Sequence, residues 1–256
     1  MNTLNDTGRT PRRVVISGGG TGIGLVTAED FAAAGDQVII IGRREDVLRD
    51  AAAAVNKRYD TDRVGWIRAD LSLPADTAEA AARIRADGPV DVIVTNAGGN
   101  VAPDAGGSLE QIAEGYLRNF KANTLTAVLL TEALLPAMRR PGGRIVHLSS
   151  IAAVRGPGSY GGSKAALHAH VYELAQRVGA EGITVNAVAP GYVADTEFFG
   201  ERATPAFVAS RVDATLTKQG GTPQEVSAAI RYLASPEAAY VTGQILHING
   251  GAMLGR

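Results

Sequence analysis

Tyr160 and Lys164 are the residues of this chain whose types and spacing point most directly to chemistry. They lie four residues apart, so in a helix the phenol and the ammonium would share one face. A fixed cation beside a phenol favours the phenolate, which predicts a pKa for Tyr160 below its usual value and makes it a candidate general acid or base. Taken alone, the same spacing also fits a packed aromatic ring beside a solvated amine.

The elements that must position this pair are indicated by an alternation of short β-branched runs and alanine-rich stretches of helical period. The alternation predicts an α/β fold, a single Rossmann-type doubly wound parallel sheet of about seven strands with helices on both faces. Strands are predicted at 14–17, 38–41, 64–67, 90–95, 144–149, 183–187 and 244–248, and helices at 23–34, 45–57, 75–86, 110–138, 159–179 and 223–234.

The same pattern predicts one domain with two irregular parts. Residues 1–11 are polar and are expected to form a flexible tail, and residues 12–256 are expected to form a dinucleotide-binding catalytic domain. The connection at 192–222 breaks the alternation and carries several phenylalanines. Long connections of this kind often act as lids, so we expect a substrate lid here.

Composition excludes several classes of function. The 256 residues carry a formal net charge of -1, so no electrostatic attraction to nucleic acid or to an anionic membrane is expected. The chain has no cysteine, which excludes disulfides and thiolate chemistry and fits a reducing compartment. Its N-terminus has no apolar signal core, and no apolar run approaches membrane-spanning length. We therefore expect a cytoplasmic protein.

The four histidines do not predict a metal site. His168 and His170 lie two residues apart on a predicted helix, so their rings diverge and cannot bind one ion. His147 and His247 fall in predicted strands, where packed histidines are expected.

A glycine-rich turn at residues 17–24 follows the first strand and runs directly into a helix. Its glycines would allow a tight turn and bring backbone amides close to a pyrophosphate, which predicts dinucleotide binding. Where many dinucleotide folds carry an acid, this chain has Gly42 followed by Arg43 and Arg44. Guanidinium groups suit a ribose 2'-phosphate, so we expect NADP(H) to be favoured over NAD(H); the alternative is that both arginines cap an exposed turn. Asp70 is a candidate contact for the adenine amino group, or else a helix cap.

With the glycine turn, Asn96-Ala97-Gly98, Ser149-Ser150, the Tyr160 to Lys164 segment and Pro190-Gly191 in order, the chain resembles the simple, single-domain branch of the short-chain dehydrogenase/reductase family over residues 13–251. The resemblance implies an oxidoreductase that transfers a hydride between NADP(H) and a carbonyl or secondary alcohol, with ketones and 3-oxoacyl thioesters as candidate substrates. The cofactor site expected from the resemblance and the two arginines comprises Gly18, Gly22, Ile23, Gly24, Arg43, Arg44, Asp70, Leu71, Asn96, Ala97, Gly98, Tyr160, Lys164, Pro190, Gly191, Val193 and Thr196.

The resemblance also implies that Asn123, Ser150, Tyr160 and Lys164 are the catalytic residues. Ser150 would hydrogen-bond the substrate carbonyl, and Tyr160 would protonate its oxygen. Lys164 would hold the nicotinamide ribose and lower the pKa of the phenol, while Asn123 would hold a water of a proton relay. Because the stretch before Tyr160 is shorter than usual in the family, Ser149 stays open as the alternative to Ser150, which strand alternation favours.

Other readings of the chain make different predictions. A non-catalytic dinucleotide-binding sensor or scaffold would be expected to have lost Tyr160, Lys164 or Ser150, and all three are present. Enoyl reduction is disfavoured, because related enzymes of that type space their Tyr and Lys more widely. Arg155, shortly before Tyr160, fits either contact with an anionic substrate or a solvated loop charge.

The helix predicted at 159–179 is small or apolar nearly all round, and such a helix is rarely left exposed. We expect it to pack against a second copy of the chain, together with the helix around 122–138. The family resemblance implies a homodimer or homotetramer of this kind.

Overall fold

The computed structural model describes residues 10–102, 107–156, 158–194 and 196–254. Seven parallel strands form one sheet in the order β3-β2-β1-β4-β5-β6-β7. This confirms the predicted doubly wound sheet. The strands are β1 Arg13–Ser17, β2 Gln37–Gly42, β3 Val64–Arg68, β4 Val92–Thr95, β5 Arg144–Leu148, β6 Thr184–Pro190 and β7 Ile245–Ile248.

Helices cover both faces of the sheet because its buried strands carry apolar side chains on both sides. In β1, Val14 and Ile16 face one layer while Val15 faces the other. Helices α1, α2 and α9 cover the first face, and α3, α5 and α7 cover the second. The helices are α1 Gly22–Ala33, α2 Glu45–Tyr59, α3 Pro74–Ala86, α4 Leu109–Phe120, α5 Thr126–Leu134, α6 Ala152–Arg155, α7 Gly158–Val178, α8 Pro205–Asp213 and α9 Pro223–Leu233.

The site follows from the point where the strand order reverses, between β1 and β4. In an open parallel sheet, the loops after two such strands leave toward opposite faces and open a crevice at the carboxyl edge. The glycine turn follows β1 and Asn96 follows β4, so both lie at this crevice. Ser150 follows β5 and Gly191 follows β6, which brings them to the same edge.

The helix predicted over 110–138 is interrupted. Between α4 and α5 the chain forms one π-helical turn, Lys121–Leu125, and a 3-10 turn, Leu135–Ala137, follows α5. A π turn inserts one extra residue into a helix, and it often marks a functional position. The apolar period cannot reveal a single inserted residue, so the sequence predicted one continuous helix.

The predicted lid contains a 3-10 turn, Gly200–Arg202, and α8, none of whose residues is buried. Thr204 caps α8 by accepting a hydrogen bond from the Phe207 amide at 3.3 Å. Residues 1–9 of the predicted tail lie outside the described residues. Among the helices that the structure describes, none has the length and apolar character needed to cross a bilayer.

Candidate active site

Three glycines shape the turn between β1 and α1, each for its own reason. Gly18 and Gly22 have left-handed backbone angles, with φ of 67° and 53°. A methyl group on Gly24 would lie 2.2 Å from the Gly18 carbonyl oxygen, so only glycine allows α1 to start this close to β1. The next residue of the predicted set, Ile23, is half-buried and packs against the core. The turn therefore presents the N-terminal amides of α1, a favourable place for a pyrophosphate.

The segment after β4 braces this turn. Asn96 donates from Nδ2 to the Gly18 carbonyl at 2.9 Å, and the Ala97 amide donates to Ser17 Oγ at 3.0 Å. Gly98 is exposed, and a methyl group there would lie 2.4 Å from Asn123 Oδ1 and 3.3 Å from Lys164 Nζ. Gly98 thus leaves room for both of these side chains.

The end of β2 carries exposed positive charge. Arg43 and Arg44 are both exposed, and Arg44 lies 3.6 Å from the Glu197 carboxylate, which is also exposed. Such a solvent-exposed pair contributes little stability, so Arg44 is available to another anion. The residues at the end of β2, Gly42, Arg43 and Arg44, include no carboxylate that could bind ribose hydroxyl groups.

Asp70 follows β3 at the same edge, and the next residue, Leu71, is buried. The Asp70 carboxylate accepts hydrogen bonds from Ser72 N at 3.0 Å and Ser72 Oγ at 2.7 Å. Burial alone would raise the pKa of Asp70, but the Ser72 hydrogen bonds and the nearby Arg43 and Lys121 cations lower it. Asp70 is therefore an anionic acceptor at neutral pH.

Tyr160 lies in the first turns of α7 and is 9% exposed. Burial raises the pKa of Tyr160 to about 12, although a hydrogen bond with the Ser150 side chain acts in the opposite direction. The lowered pKa expected from Lys164 is therefore wrong for this structure. Desolvation of the phenolate outweighs the neighbouring groups, and the phenol is a protonated donor at neutral pH.

The two serines after β5 face different partners. Ser150 contacts Tyr160, and its Oγ accepts from the Ala152 amide at 3.1 Å. Ser149 Oγ lies 2.8 Å from His168 Nε2 and donates to the Lys164 carbonyl at 3.3 Å. Ser150 is therefore the serine beside the phenol, while Ser149 ties β5 to α7.

Lys164 is 3% exposed and donates from Nζ to the Leu148 carbonyl at 2.7 Å. Burial lowers the pKa of Lys164 to about 8, because a cation is costly in an apolar setting. The acceptor was not predicted from the sequence, since a backbone carbonyl at a strand end has no residue-type signature. Lys164 still carries its charge at neutral pH.

Asn123 lies in the π turn and is buried. Its Oδ1 accepts from the Gly99 amide at 2.9 Å, and its Nδ2 donates to the carbonyls of Gly99 and Asn119, each at 2.9 Å. Both amide protons are used, so a further ligand of this side chain can only donate to Oδ1. The extra residue of the π turn directs Asn123 toward the segment after β4.

The turn after β6 and the start of the lid lie across the crevice from the glycine turn. Gly191 donates its amide to the Ile248 carbonyl at 2.8 Å, directly after buried Pro190. Val193 is buried and pairs with Gly221. Thr196 donates to the Val193 carbonyl at 3.4 Å, and its methyl lies 3.7 Å from where a side chain on Gly22 would begin. Thr196 therefore lies close to the glycine turn, and its role in the cofactor site stays a prediction.

Aromatic side chains of the lid cover the phenol. The Phe198 ring lies 5.7 Å from the Tyr160 ring and 4.8 Å from Phe199. Phe199 in turn contacts Tyr192 at 5.4 Å and Phe207 at 5.0 Å between ring centroids. The sequence indicated an apolar lid but not which ring reaches Tyr160, because that depends on how the connection folds back.

One of the four histidines is fully buried, and the other three are partly buried. His147 is fully buried, with Nδ1 2.6 Å from Thr95 Oγ1 and its ring 5.2 Å from that of His170. Within the described ranges, no group of three or more histidine or carboxylate ligands could hold a metal ion.

The residues present fit a dinucleotide. In the glycine turn there is no room for a side chain at Gly24, whereas a side chain at Gly22 would meet only Thr196. Anionic Asp70 follows β3 and cationic Arg43 follows β2, while Lys164 and Tyr160 lie on α7. The crevice thus offers helix N-terminal amides for a pyrophosphate and both charged and neutral polar side chains beside them.

Comparisons with known proteins agree with this architecture. A model of the protein family described as "Enoyl-(Acyl carrier protein) reductase" matches residues 18–253. The 3-oxoacyl-[acyl-carrier-protein] reductase of Rickettsia prowazekii (strain Madrid E) is 33% identical over 251 residues, covering 96% of this chain and 98% of that protein.

Two solved structures have the same fold. A short-chain type dehydrogenase/reductase from Mycobacterium ulcerans gives a TM-score of 0.86 at 28% identity, covering 96% of this chain and 90% of that chain. L-sorbose reductase from Gluconobacter frateurii, complexed with NADPH and L-sorbose, gives 0.85 at 27% identity, covering 96% and 98%. The chain therefore belongs to the short-chain dehydrogenase/reductase family, whose members use a nicotinamide cofactor.

Proposed function

We propose that the protein is an NADP(H)-dependent oxidoreductase that transfers a hydride between the nicotinamide and a carbonyl or secondary alcohol, with Tyr160 as general acid/base. The observation that carries this proposal is the hydrogen-bonded pair of Ser150 and Tyr160, with buried Lys164 four residues further along α7. The bound nicotinamide supplies the hydride when the carbonyl is reduced.

In reduction, Ser150 and Tyr160 are the two donors to the substrate carbonyl oxygen. Negative charge grows on that oxygen as the carbonyl is reduced, so donors fixed in advance stabilise the transition state more than the ground state. A phenol with a pKa of about 12 is fully protonated at neutral pH and can deliver its proton to the oxygen. Lys164, whose Nζ bonds the Leu148 carbonyl, is assigned to holding the nicotinamide ribose, and the free side of Asn123 Oδ1 is assigned to a relay water.

The proposed preference for NADP(H) is supported by Arg43 and Arg44, and the related sorbose reductase was solved with NADPH. Replacing Arg43 by Asp is expected to lower kcat/KM for NADPH about tenfold or more, with little change for NADH, because only the phosphorylated ribose loses a charge-assisted bond. Arg49→Asp, on the exposed face of α2, is the control. Equal losses with both cofactors would contradict the phosphate role.

For the substrate we propose a ketone or a 3-oxoacyl thioester, because the lid presents aromatic rings to Tyr160. A panel of ketones, 3-oxoacyl thioesters, keto sugars and enoyl thioesters, followed by NADPH oxidation, tests this. The name of the matching family model makes the enoyl thioester an essential member of the panel. Turnover confined to the enoyl thioester would contradict carbonyl reduction, and NADPH binding without turnover of any substrate would favour a sensor or scaffold.

We also propose a homodimer or homotetramer that forms through α7 and the neighbouring α4–α5 helices. Helix α4 exposes Tyr116, Leu117 and Phe120, and α7 exposes Tyr172. Covering such a patch removes apolar area from water. Light scattering at micromolar concentration is expected to give at least twice the chain mass, and a stable monomer would contradict the proposal. We also propose a cytoplasmic location, because the sequence contains no cysteine.

A further inference from the structure

The last described residues fold into a turn, here called the C-terminal turn (residues 249–253), that touches three separate parts of the site. Gly250 and Gly251 have left-handed φ angles of 59° and 77°. Asn249 closes the turn, since its Oδ1 accepts from the Gly251 amide at 3.0 Å and its Nδ2 donates to the Met253 carbonyl at 3.2 Å. The turn is therefore an ordered element with its own hydrogen bonds.

The C-terminal turn supports the lid at its far end. The amides of Leu216 and Thr217 donate to the Gly250 carbonyl at 2.8 and 3.1 Å. At its near end, the lid is held by the Ala194 amide, which donates to the Gly221 carbonyl at 2.8 Å. Between these two anchors α8 has no buried residue, and its Phe207 ring contacts Tyr192 and Phe199 within the lid.

The same turn also backs the segment after β6. A methyl group on Gly191 would lie 2.9 Å from Asn249 Cβ, so the two backbones are in direct contact. A displacement of the C-terminal turn would consequently reach both the lid and Gly191.

Arg155 connects this turn to the catalytic serine. It is the last residue of α6, and its Nη1 donates to the Ala252 carbonyl across 97 positions of the chain. Ser150 accepts from the Ala152 amide at the start of the same short helix. Within the part of the chain that the structure describes, the Arg155 guanidinium is not paired with a carboxylate, so its neighbour here is a neutral carbonyl.

We propose that Arg155 is a positioning residue that holds the C-terminal turn against the end of the lid and thereby sets the affinity for the carbonyl substrate. The inference rests on the proposed function. Arg155 is assigned no part in hydride or proton transfer, because its guanidinium bonds the Ala252 carbonyl, whereas Ser150 Oγ bonds the Ala152 amide and Lys164 Nζ bonds the Leu148 carbonyl.

Steady-state kinetics with the best ketone of the panel is the first test. Arg155→Ala is expected to raise KM for the ketone about tenfold, which corresponds to the loss of one hydrogen bond, while kcat and KM for NADPH change less than about twofold. Arg155→Lys and Arg155→Gln both keep a donor and are expected to restore most of the affinity. Arg49→Gln, an exposed arginine of α2, is the control for loss of a guanidinium.

Two results would overturn the proposal in this test. An unchanged KM in Arg155→Ala would remove the role altogether. Rescue by Arg155→Lys but not by Arg155→Gln, confined to anionic substrates, would assign Arg155 to recognition of substrate charge instead.

A truncation tests whether Arg155 acts through Ala252. A chain ending at Gly251 with a C-terminal amide in place of the carboxylate lacks the Ala252 carbonyl and adds no anionic acceptor, so it is expected to show the raised KM of Arg155→Ala. Adding Arg155→Ala to that truncated chain should then change KM by less than about twofold, because interacting sites are not additive. A second full increase in KM would show that Arg155 acts elsewhere and would overturn the proposal.

Hydrogen exchange separates failure of this inference from failure of the proposed function, since it needs no substrate. The amides of Leu216, Thr217 and Gly251 are expected to exchange faster in Arg155→Ala than in the wild type or in Arg49→Gln. Unchanged exchange would overturn the positioning role even if the enzyme reduces ketones. Faster exchange supports it even if no ketone of the panel is turned over.

Discussion

Replacing Lys164 by methionine is expected to reduce turnover sharply and at the same time to remove a pH-dependent cost in stability. Lys164 is buried, and its Nζ bonds a neutral carbonyl, that of Leu148. Burial lowers its pKa from 10.5 to about 8. Because the folded-state pKa lies below the unfolded one, the unfolded chain binds more protons between pH 8 and 10.5, and stability rises with pH across that window.

The size of the effect follows from these two pKa values. A tenfold change in an equilibrium constant corresponds to about 1.4 kcal/mol, so keeping Lys164 charged at pH 7 costs roughly 3 kcal/mol of unfolding free energy. About 2 kcal/mol of this cost is relieved between pH 7 and about pH 9.5. The raised pKa of Tyr160 acts in the opposite direction, but only above pH 10, so it does not obscure this interval.

Urea unfolding, followed by the fluorescence of the single tryptophan, Trp66, measures the difference. Wild type and Lys164→Met are compared at pH 7 and about pH 9.5 at one protein concentration, with Lys57→Met on the exposed face of α2 as the control. Wild type and Lys57→Met are expected to gain about 2 kcal/mol more than Lys164→Met over this interval. Parallel pH dependence of wild type and Lys164→Met would refute the reasoning that Lys164 is a costly buried cation.

Two further predictions concern the support of the site. Burial lowers the pKa of His147 from 6.5 to about 3, so the unfolding free energy falls as pH falls through this range. His147→Gln is expected to remove about 2 to 3 kcal/mol of that loss by pH 4.5, as measured by urea unfolding. An unchanged acid dependence would contradict it. Gly24→Ala puts a methyl 2.2 Å from the Gly18 carbonyl and is expected to weaken NADPH at least about tenfold by fluorescence titration. Gly65→Ala, which meets nothing within 4 Å, should bind normally, and equal affinity in both variants would contradict the role of Gly24.

Much of the fold could be predicted from the sequence because its strands are buried on both faces. The run at 38–41 is continuously apolar, and β2 covers it with one residue added at each end. The glycine turn could likewise be predicted, because position 24 has no room for a side chain and only glycine fits there.

Contacts that depend on tertiary placement could not be predicted. Lys164 donates to the Leu148 carbonyl and Arg155 donates to the Ala252 carbonyl. Every residue has a backbone carbonyl, so the residue type at positions 148 and 252 could not identify these acceptors. The pKa of Tyr160 was mispredicted for a related reason. Spacing placed a cation nearby, but spacing says nothing about how completely the phenol is desolvated, and burial decides the direction.

The most direct test of the central claim is single-turnover reduction of the best ketone by Tyr160→Phe with saturating NADPH, alongside fluorescence titration of NADPH. Phenylalanine keeps the ring and its contact with Phe198 but cannot donate a proton. The rate of NADPH oxidation is expected to fall about a thousandfold while the Kd for NADPH changes less than about twofold. A Tyr160→Phe variant that reduces the ketone at the wild-type rate would contradict the assignment of Tyr160 as the general acid.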